Sequence, residues 1–341
     1  MDISDLSLKL VALKKRRKGF LVSSYNQTEI KPGVIEKGVI QNESAFVEVI
    51  KESCKNVTGK KLATTYVIAS LPEEKSFLQI IQMPSMSEKE LATAVVFEAE
   101  NYIPLPVSEV YLDYNIINRA KDHLDVLIVA MPKKIVNSYF DCLKKAGLTP
   151  LALEIESEAI TRALVKSKTE ASVVLVDFGK TSTVFVVYAG GSIQFTCSIP
   201  VSSDQLTIAI SKALGVTMEK AEKLKQKYDP AHKKDEYTTQ IAEALEPVLE
   251  NLVAQVKKYI DYYQQHAYHE YSPSHQGLQS VLLCGGGANL KGLPEFLSQN
   301  LKIPVALGDI SDYIPSKKDA EHLNQHLTTA LGVALRGANA L

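Results

Sequence analysis

The chain has 341 residues, 45% of them apolar, with 38 Lys and Arg against 39 Asp and Glu for a formal charge of -1. That length supports two domains or one large two-lobed one, and the near-neutral balance excludes a globally basic nucleic-acid binder or an acidic solvating tail. Cys54, Cys142, Cys197 and Cys284 form no C-x-x-C pair, and no apolar run approaches the roughly 20 residues of a membrane span, which predicts a reduced, cytoplasmic protein that meets a membrane only through partners.

The first β-rich run, ISDLSLKLVALKKRRKGFLVSSYN, alternates apolar residues on either side of a basic turn, KKRRKG, Lys14 to Gly19. Charge at a hairpin tip is read as solvated, in preference to a contact with anionic lipid or nucleic acid. Residues 64–131 read as a small inserted α+β module, with strands near TTYVIAS, FLQIIQM, VYLDYNII and HLDVLIVAM and one helix. Ser87 and Glu90 have capping-box spacing at the start of that helix, and Pro104 and Pro106 end it. Residues 132–146 predict a helix stopped at Gly147, and LALEIESEAITRALV a short strand running into a connecting helix.

The second β-rich run, SVVLVDFGKTSTVFVVYAGGSIQFTCSIP, turns at AGGS. Helices follow near 203–214, 218–228 and 240–270; the last repeats Leu245, Leu249, Leu252, Val256, Tyr259 and Tyr263 at three- and four-residue steps, and Pro247 marks its first regular turn or a kink. HEYSPSHQG reads as a loop, SVLLC as a buried strand, and GGGANLKGL leads to a helix, a strand near KIPVAL and a final helix through LTTALGVALRG.

Each β-rich run pairs an aspartate with a hydroxyl-rich turn. Asp2 precedes Ser4, Asp5, Ser7 and Lys9; Asp177 precedes Gly179, Lys180, Thr181, Ser182 and Thr183. The duplication suggests two related lobes facing each other, in which Asp2 and Asp177 hold Mg2+ through water while the turns cradle phosphate. Each hairpin alone is equally a turn shaped by acids and serines. Gly285, Gly286 and Gly287, between a strand and a helix, let backbone approach a phosphorylated ligand or simply make a tight turn; Leu290 rules out the Rossmann fingerprint. Glu222 and Lys225, one helical turn apart, grip a ribose or form a solvated pair. Glu158 orients an attacking water or answers the helix dipole. His266 with His269, and His322 with His326, have helical ligand spacing but no accompanying motif, so no metal is assigned to histidine.

The order acid hairpin, inserted module, connecting helix, D-x-G hairpin, A-E-x-x-K helix, strand and G-G-G-A resembles the actin-like ATPase superfamily. Within it, FEAENYIPLPVSEVYLDYNII, residues 97–117, and LEIESEAITRAL look like the inserted segment and the inter-lobe connection of the PilM family of type IV pilus assembly, relatives of the division protein FtsA. The resemblance spans essentially the whole chain. It implies an α/β, actin-like ATPase fold of duplicated ribonuclease H-like lobes around a nucleotide cleft: a first lobe at 1–63 and 132–165, an inserted 1C-like α+β subdomain at 64–131, and a second lobe at 166–341. Carried over by motif, Asp2, Ser4, Asp5, Ser7 and Lys9 form one phosphate element and Asp177, Gly179, Lys180, Thr181 and Ser182 the other. Glu222 and Lys225 then meet the ribose, Gly285, Gly286, Gly287 and Ala288 the adenosine, and Glu158 takes the place of a water-orienting carboxylate beside Asp177.

The resemblance further implies ATP and Mg as ligands, with hydrolysis slow or absent. It implies a scaffold at the cytoplasmic face of the inner membrane that holds the N-terminal cytoplasmic peptide of a PilN-type membrane protein beside the inserted subdomain. Self-association and pilus motor components are further partners to consider; nucleic acid is not. The opening stretch departs from the family twice. Asp2-Ile3-Ser4-Asp5 stands where relatives have D-x-G followed by Ser or Thr, and only Met1 precedes Asp2, so the first strand is expected to be almost absent, removed upstream or dispensed with. Two other classes compete: a small-molecule kinase of the same superfamily, for which no acceptor signature is visible, and an FtsA-like division filament, which would end in an amphipathic tail where this chain stops at GVALRGANAL.

Overall fold

The alternating apolar residues of the N-terminal run fold as an antiparallel meander in the computed structural model, which describes residues 1–17, 19–165, 172–230, 236–266, 277–314 and 325–339. β1 (Asp2–Ser4), β2 (Ser7–Lys15) and β3 (Phe20–Glu29) pair in sequence, setting Asp2 opposite Lys9 and Ser4 opposite Ser7. Ile3, Leu8, Leu10 and Val11 are buried. Two very short ladders follow, β4 (Ile35–Glu36) with β5 (Val39–Ile40), and β6 (Thr58–Gly59) with β3. β7 (Tyr66–Leu71) pairs in parallel with β11 (Thr149–Ile155). The first strand is short, as the sequence suggests, but Met1 extends it: its amine donates to the Ile68 carbonyl and its carbonyl accepts from the Ser70 N–H. The two ladders thereby join in the order β3-β2-β1-β7-β11.

The chain divides into two compact units. The first comprises Met1–Arg162, Gly191–Thr196 and Ala330–Leu341, and the second Ala163–Gly190 and Cys197–Thr329. In the first, α1 (Glu43–Lys55) and α3 (Lys133–Lys145) seal the sheet with Phe46, Ile50, Tyr139, Cys142 and Leu143; the Phe46 and Tyr139 rings meet edge to face at 6.1 Å. β8 (Phe77–Pro84), β10 (His123–Pro132) and β9 (Val110–Arg119) form a separate antiparallel sheet in that spatial order. Leu91, Val95 and Ala99 of α2 (Glu88–Ala99) cover it, and the Ser87–Glu90 capping box closes that helix. One strand is placed differently from the sequence reading: TTYVIAS, read as part of the inserted module, is β7 and pairs with β11. Pro72 and the turn Glu73–Lys75 break the chain between β7 and β8, and Val67, Ala69 and Leu71 give β7 the apolar character of an interior parallel strand.

α4 (Glu156–Leu164) and α9 (Thr328–Asn339) pass so close that a Cβ on Gly332 would lie 1.8 Å from the Ala159 carbonyl oxygen, which requires glycine there.

A second five-stranded sheet repeats this strand order. β12 (Val173–Phe178), β13 (Thr183–Ala189), β14 (Ser192–Ile199), β15 (Ser280–Cys284) and β16 (Val305–Leu307) stand in the order β14-β13-β12-β15-β16, with β12, β15 and β16 parallel. The helices of the second unit are α5 (Ser203–Leu214), α6 (Met218–Lys227), the 31-residue α7 (Glu236–His266) and α8 (Leu293–Leu301). Leu245, Leu249, Leu252 and Val256 form the buried stripe of α7, and Pro247 lies inside it. Among the described residues, no helix is long and apolar enough to cross a membrane.

Candidate functional site

The turn joining β1 to β2 is closed on itself. Asp2 is buried, with Oδ2 3.2 Å from Lys9 Nζ and Oδ1 accepting from Ser70 Oγ. Ser4 Oγ donates to the Ser7 carbonyl and lies 3.0 Å from Ser7 Oγ. The Asp5 carboxylate accepts from the N–H groups of Lys37 and Gly38 at 2.7 and 2.9 Å. Both residues have positive φ, 47° and 70°, so Asp5 holds together a strained turn between β4 and β5. Its extra charge is thereby engaged by backbone donors.

Two other carboxylates, Glu74 and Glu156, share with Asp5 the surroundings of Tyr139. Glu73, in the turn after β7, is buried; its Oε2 accepts from the Ser157 N–H and its own N–H donates to Glu156 Oε2. Burial pushes the Glu73 carboxyl up, against hydrogen bonds that lower it. Burial, then the charges of Asp5, Glu156 and Glu74, push the Tyr139 hydroxyl far up, and that hydroxyl donates to the Gly38 carbonyl. Sequence reasoning selected Glu158 from the first turn of α4 and passed over Glu156. Two residues apart on a helix differ by about 200° in direction. Glu158 accordingly lines a cavity that Glu156 does not, 3.9 Å from Arg162, and makes no bond with the Asp2 turn; burial pushes its carboxyl up and Arg162 partly offsets this.

In the second unit the corresponding turn is open. Asp177 is the next-to-last residue of β12, and its Oδ2 accepts from Thr329 Oγ1 at 2.8 Å. The Gly179 N–H donates to the Asp177 and Ser182 carbonyls, and a Cβ on Gly179 would lie 2.7 Å from the Ser182 carbonyl oxygen. The carbonyls of Gly179 and Lys180 accept from Ser203 and Asp204 N–H groups, docking the start of α5 on the turn. Lys180 is exposed, and the hydroxyls of Thr181 and Ser182 are half-buried with no hydrogen bond inside the described chain. Gly285 has φ 83°; a Cβ there would sit 2.1 Å from Asp177 Oδ1, and one on Gly287 2.6 Å from the Phe178 ring. These glycines let the β15 exit close against the end of β12, with Ala288 buried behind them. His326 faces Gly286 and lies 3.0 Å from Asn289 Nδ2. Thr329 and Asn289 went unnoticed in the sequence because an isolated Thr or Asn carries no spacing signal.

Lys225 is largely buried and donates to the Ser203 carbonyl and to Thr207 Oγ1, while lying 2.8 Å from Glu222 Oε2. Burial raises the Glu222 carboxyl, but bonds from Lys225 and Thr207 outweigh it and hold the group below the usual carboxylate range. The pair ties α6 to α5. His266 Nδ1 lies against the Tyr262 carbonyl; His269 and His322 are outside the described residues. Among the described residues, no group of three or more His, Cys, Asp or Glu could hold a metal ion.

The first unit also contains a cavity of about 590 Å³. One wall is Tyr111–Asn115 of β9 and another Leu153–Ile155 of β11, each an edge strand of its sheet; Val129 and Met131 contribute the apolar lining. At one end, buried Glu154 takes both nitrogens of Arg162 at 2.7 and 2.9 Å and Arg336 Nη1 at 2.8 Å.

Two sheets of one strand order, each with an aspartate at its first strand and a tight turn after it, define an actin-like ATPase fold. The chain is similar in structure to a PilM-PilN type IV pilus biogenesis complex, with a TM-score of 0.82 at 23% identity over 98% of this chain and 97% of that one. It is also similar to MreB 5 of Spiroplasma citri bound to AMPPNP, with a TM-score of 0.52 at 13% identity over 92% and 78% of the two chains. By sequence, it is 26% identical over 187 residues to the cell division protein FtsA of Pseudomonas aeruginosa, a match covering 49% of this chain and 43% of that protein. The match thus spans less than half the length of that relative. The family model described as type IV pilus assembly protein PilM matches residues 1–338, and the chain belongs to that family.

Proposed function

We propose that this chain is a cytoplasmic, nucleotide-binding scaffold of a type IV pilus machine that holds the N-terminal cytoplasmic peptide of a PilN-type inner-membrane protein. The observation that carries the reading is the cavity bordered by two edge strands. An extended segment laid along β9 or β11 gains main-chain hydrogen bonds, the apolar lining takes alternate side chains, and the Glu154–Arg162–Arg336 cluster supplies a polar stop. Membership of the PilM family and the fold shared with a PilM-PilN complex support it.

Nucleotide binding rests on the second turn. Asp177, Gly179, Lys180, Thr181 and Ser182 offer a carboxylate, a tight backbone turn, an exposed ammonium and two unengaged hydroxyls, a donor set suited to phosphate with hydrated Mg2+. Gly285–Ala288 would lie against the adenosine. Bound Mg2+ would screen phosphate charge; the chain's residues orient the phosphates. Asp2, Ser4, Ser7 and Lys9 would contribute to phosphate binding only by exchanging their present partners.

The test is calorimetry with a synthetic PilN-type N-terminal peptide and, separately, with Mg-ATP. Leu153→Asp, in the cavity wall, should weaken peptide binding at least ~10-fold while Phe97→Asp on the exposed face of α2 leaves it unchanged. Unchanged affinity in a folded Leu153→Asp chain would refute the groove. Asp177→Asn should abolish Mg-ATP binding; retained binding would move the nucleotide elsewhere.

A further inference from the structure

The β2–β3 hairpin ends in a run of cations. Lys14, Lys15, Arg16 and Arg17 are all exposed, and the Arg16 N–H donates to the carbonyl of Gly19, whose φ of 77° closes the turn. A second basic segment arrives beside it. β6 pairs with β3 at Ser24 and Tyr25, after which the Lys60 N–H donates to the Ser23 carbonyl and Lys61 follows, both exposed. Ser23 lies two residues from Leu21, the partner of Lys14, or about 7 Å along a strand. Six cations therefore share one end of the first unit's sheet.

None of the six makes an ion pair among the described residues. Elsewhere lysines meet carboxylates: Lys51 with Glu48, Lys223 with Glu219, Lys291 with Asp229. With a formal charge of -1 for the whole chain, this concentration is a local excess. Unscreened like charges held within about a Debye length of ~10 Å repel one another, and a surface of opposite sign relieves that repulsion.

We propose that this hairpin tip docks on an anionic lipid surface, with phosphate headgroups as the ligand. The shape favours a flat partner over a nucleic acid. The cations sit on a convex turn and its flank, and the strands immediately behind the tip present Leu13, Leu21 and Val22, with Val22 buried. A ribbon that reads a groove needs polar side chains along its length, and a single-strand binder needs aromatic rings between its cations. No ring stands among Lys14 to Arg17, and half-buried Phe20 begins the strand beyond Gly19; Lys and Arg are polar, but behind them the two strands turn to the apolar Leu13, Leu21 and Val22. The contact is peripheral and reversible, driven by headgroup charge alone.

The experiment is co-flotation of the full chain with vesicles of phosphatidylcholine containing about 40 mol% phosphatidylglycerol, against pure phosphatidylcholine, over a salt series. The chain should float with the anionic vesicles at low salt, be released as salt rises, and ignore the neutral ones. Replacing Lys14, Lys15, Arg16 and Arg17 together by Ser should weaken vesicle binding about 1,000-fold with an unchanged melting temperature. Inorganic phosphate at the same phosphate concentration should not compete. Binding equal on neutral vesicles, no binding at all, competition by free phosphate, or an unaffected quadruple variant would overturn the proposal. Tighter binding to duplex or single-stranded DNA than to vesicles would overturn it in favour of nucleic acid. The inference is independent of the peptide groove: the quadruple variant should keep full peptide affinity, and a failed peptide titration leaves the flotation result standing.

Discussion

The two aspartate-led turns occupy equivalent places in sheets of the same strand order, yet their polar groups are in opposite states. In the Asp2 turn, Lys9, Ser70, Ser7 and the backbone of Lys37 and Gly38 answer the side chains of Asp2, Ser4 and Asp5. In the Asp177 turn, Thr329 answers the aspartate while the hydroxyls of Thr181 and Ser182 stay open. The difference follows from glycine. Where a Cβ has no room, as at Gly179, Gly285 and Gly287, the backbone closes up and side chains remain available. Ser4, standing in the glycine position of the first turn, brings a hydroxyl that bonds to Ser7. Equivalent topology therefore does not guarantee equivalent readiness for a ligand.

The comparison breaks most visibly at Gly285. Gly285→Ala forces a Cβ against Asp177 Oδ1 at a positive φ, and should cost about 3 kcal/mol or more, read as a lowered urea midpoint with unchanged m-value. A loss below ~1 kcal/mol would mean that the β15 exit moves freely and that the second turn is not held by it.

The next effect belongs to the first unit and to pH. Burial lowers the Met1 amine from 8.0 to about 6, with Asp2 pulling in the opposite direction. A base depressed on folding is charged more readily when unfolded, so its contribution is present above pH 8 and lost as pH falls through about 6. Stability should therefore rise from pH 6 to pH 8 by on the order of 2 kcal/mol, and acetylating Met1 should flatten the rise. An identical slope in the acetylated chain would assign the dependence to other groups.

The smallest effect sharpens the comparison itself. Ser4→Gly removes a partly exposed hydroxyl pair and restores the glycine of the second turn, so the melting free energy should change by less than ~1 kcal/mol. If Mg-ATP affinity rises in the same variant, the closed first turn is what limits it; if it is unchanged, Asp177 and its neighbours set the affinity alone.

Much of this architecture was legible in sequence because it is local. The capping box at Ser87, the hairpins, the buried stripe of α7 and the duplicated D-containing runs are all patterns of period two or 3.6, and the actin-like fold follows from their order. What stayed hidden is nonlocal. β7 takes β11 as its partner, Tyr66 opposite Thr149, with the whole β8-β10-β9 sheet between them along the chain. Asp5 found its backbone donors at Lys37 and Gly38, and Lys225 its acceptors at Ser203 and Thr207, none of which a spacing rule connects. Glu156 and Glu158 look interchangeable as acids in the first turn of a helix, but they point to opposite sides of it. Side-chain direction, not residue type, separates their roles.

Glu154 serves two arginines at once, so with Glu158 protonated the end of the cavity carries one net positive charge, and with Glu158 ionised it carries none. Burial already pushes the Glu158 carboxyl up. A segment that brings a carboxylate to this end would push it further and draw a proton from solution as it docks. Docking of such a segment would then be linked to proton uptake, and its affinity would rise as pH falls through the Glu158 titration.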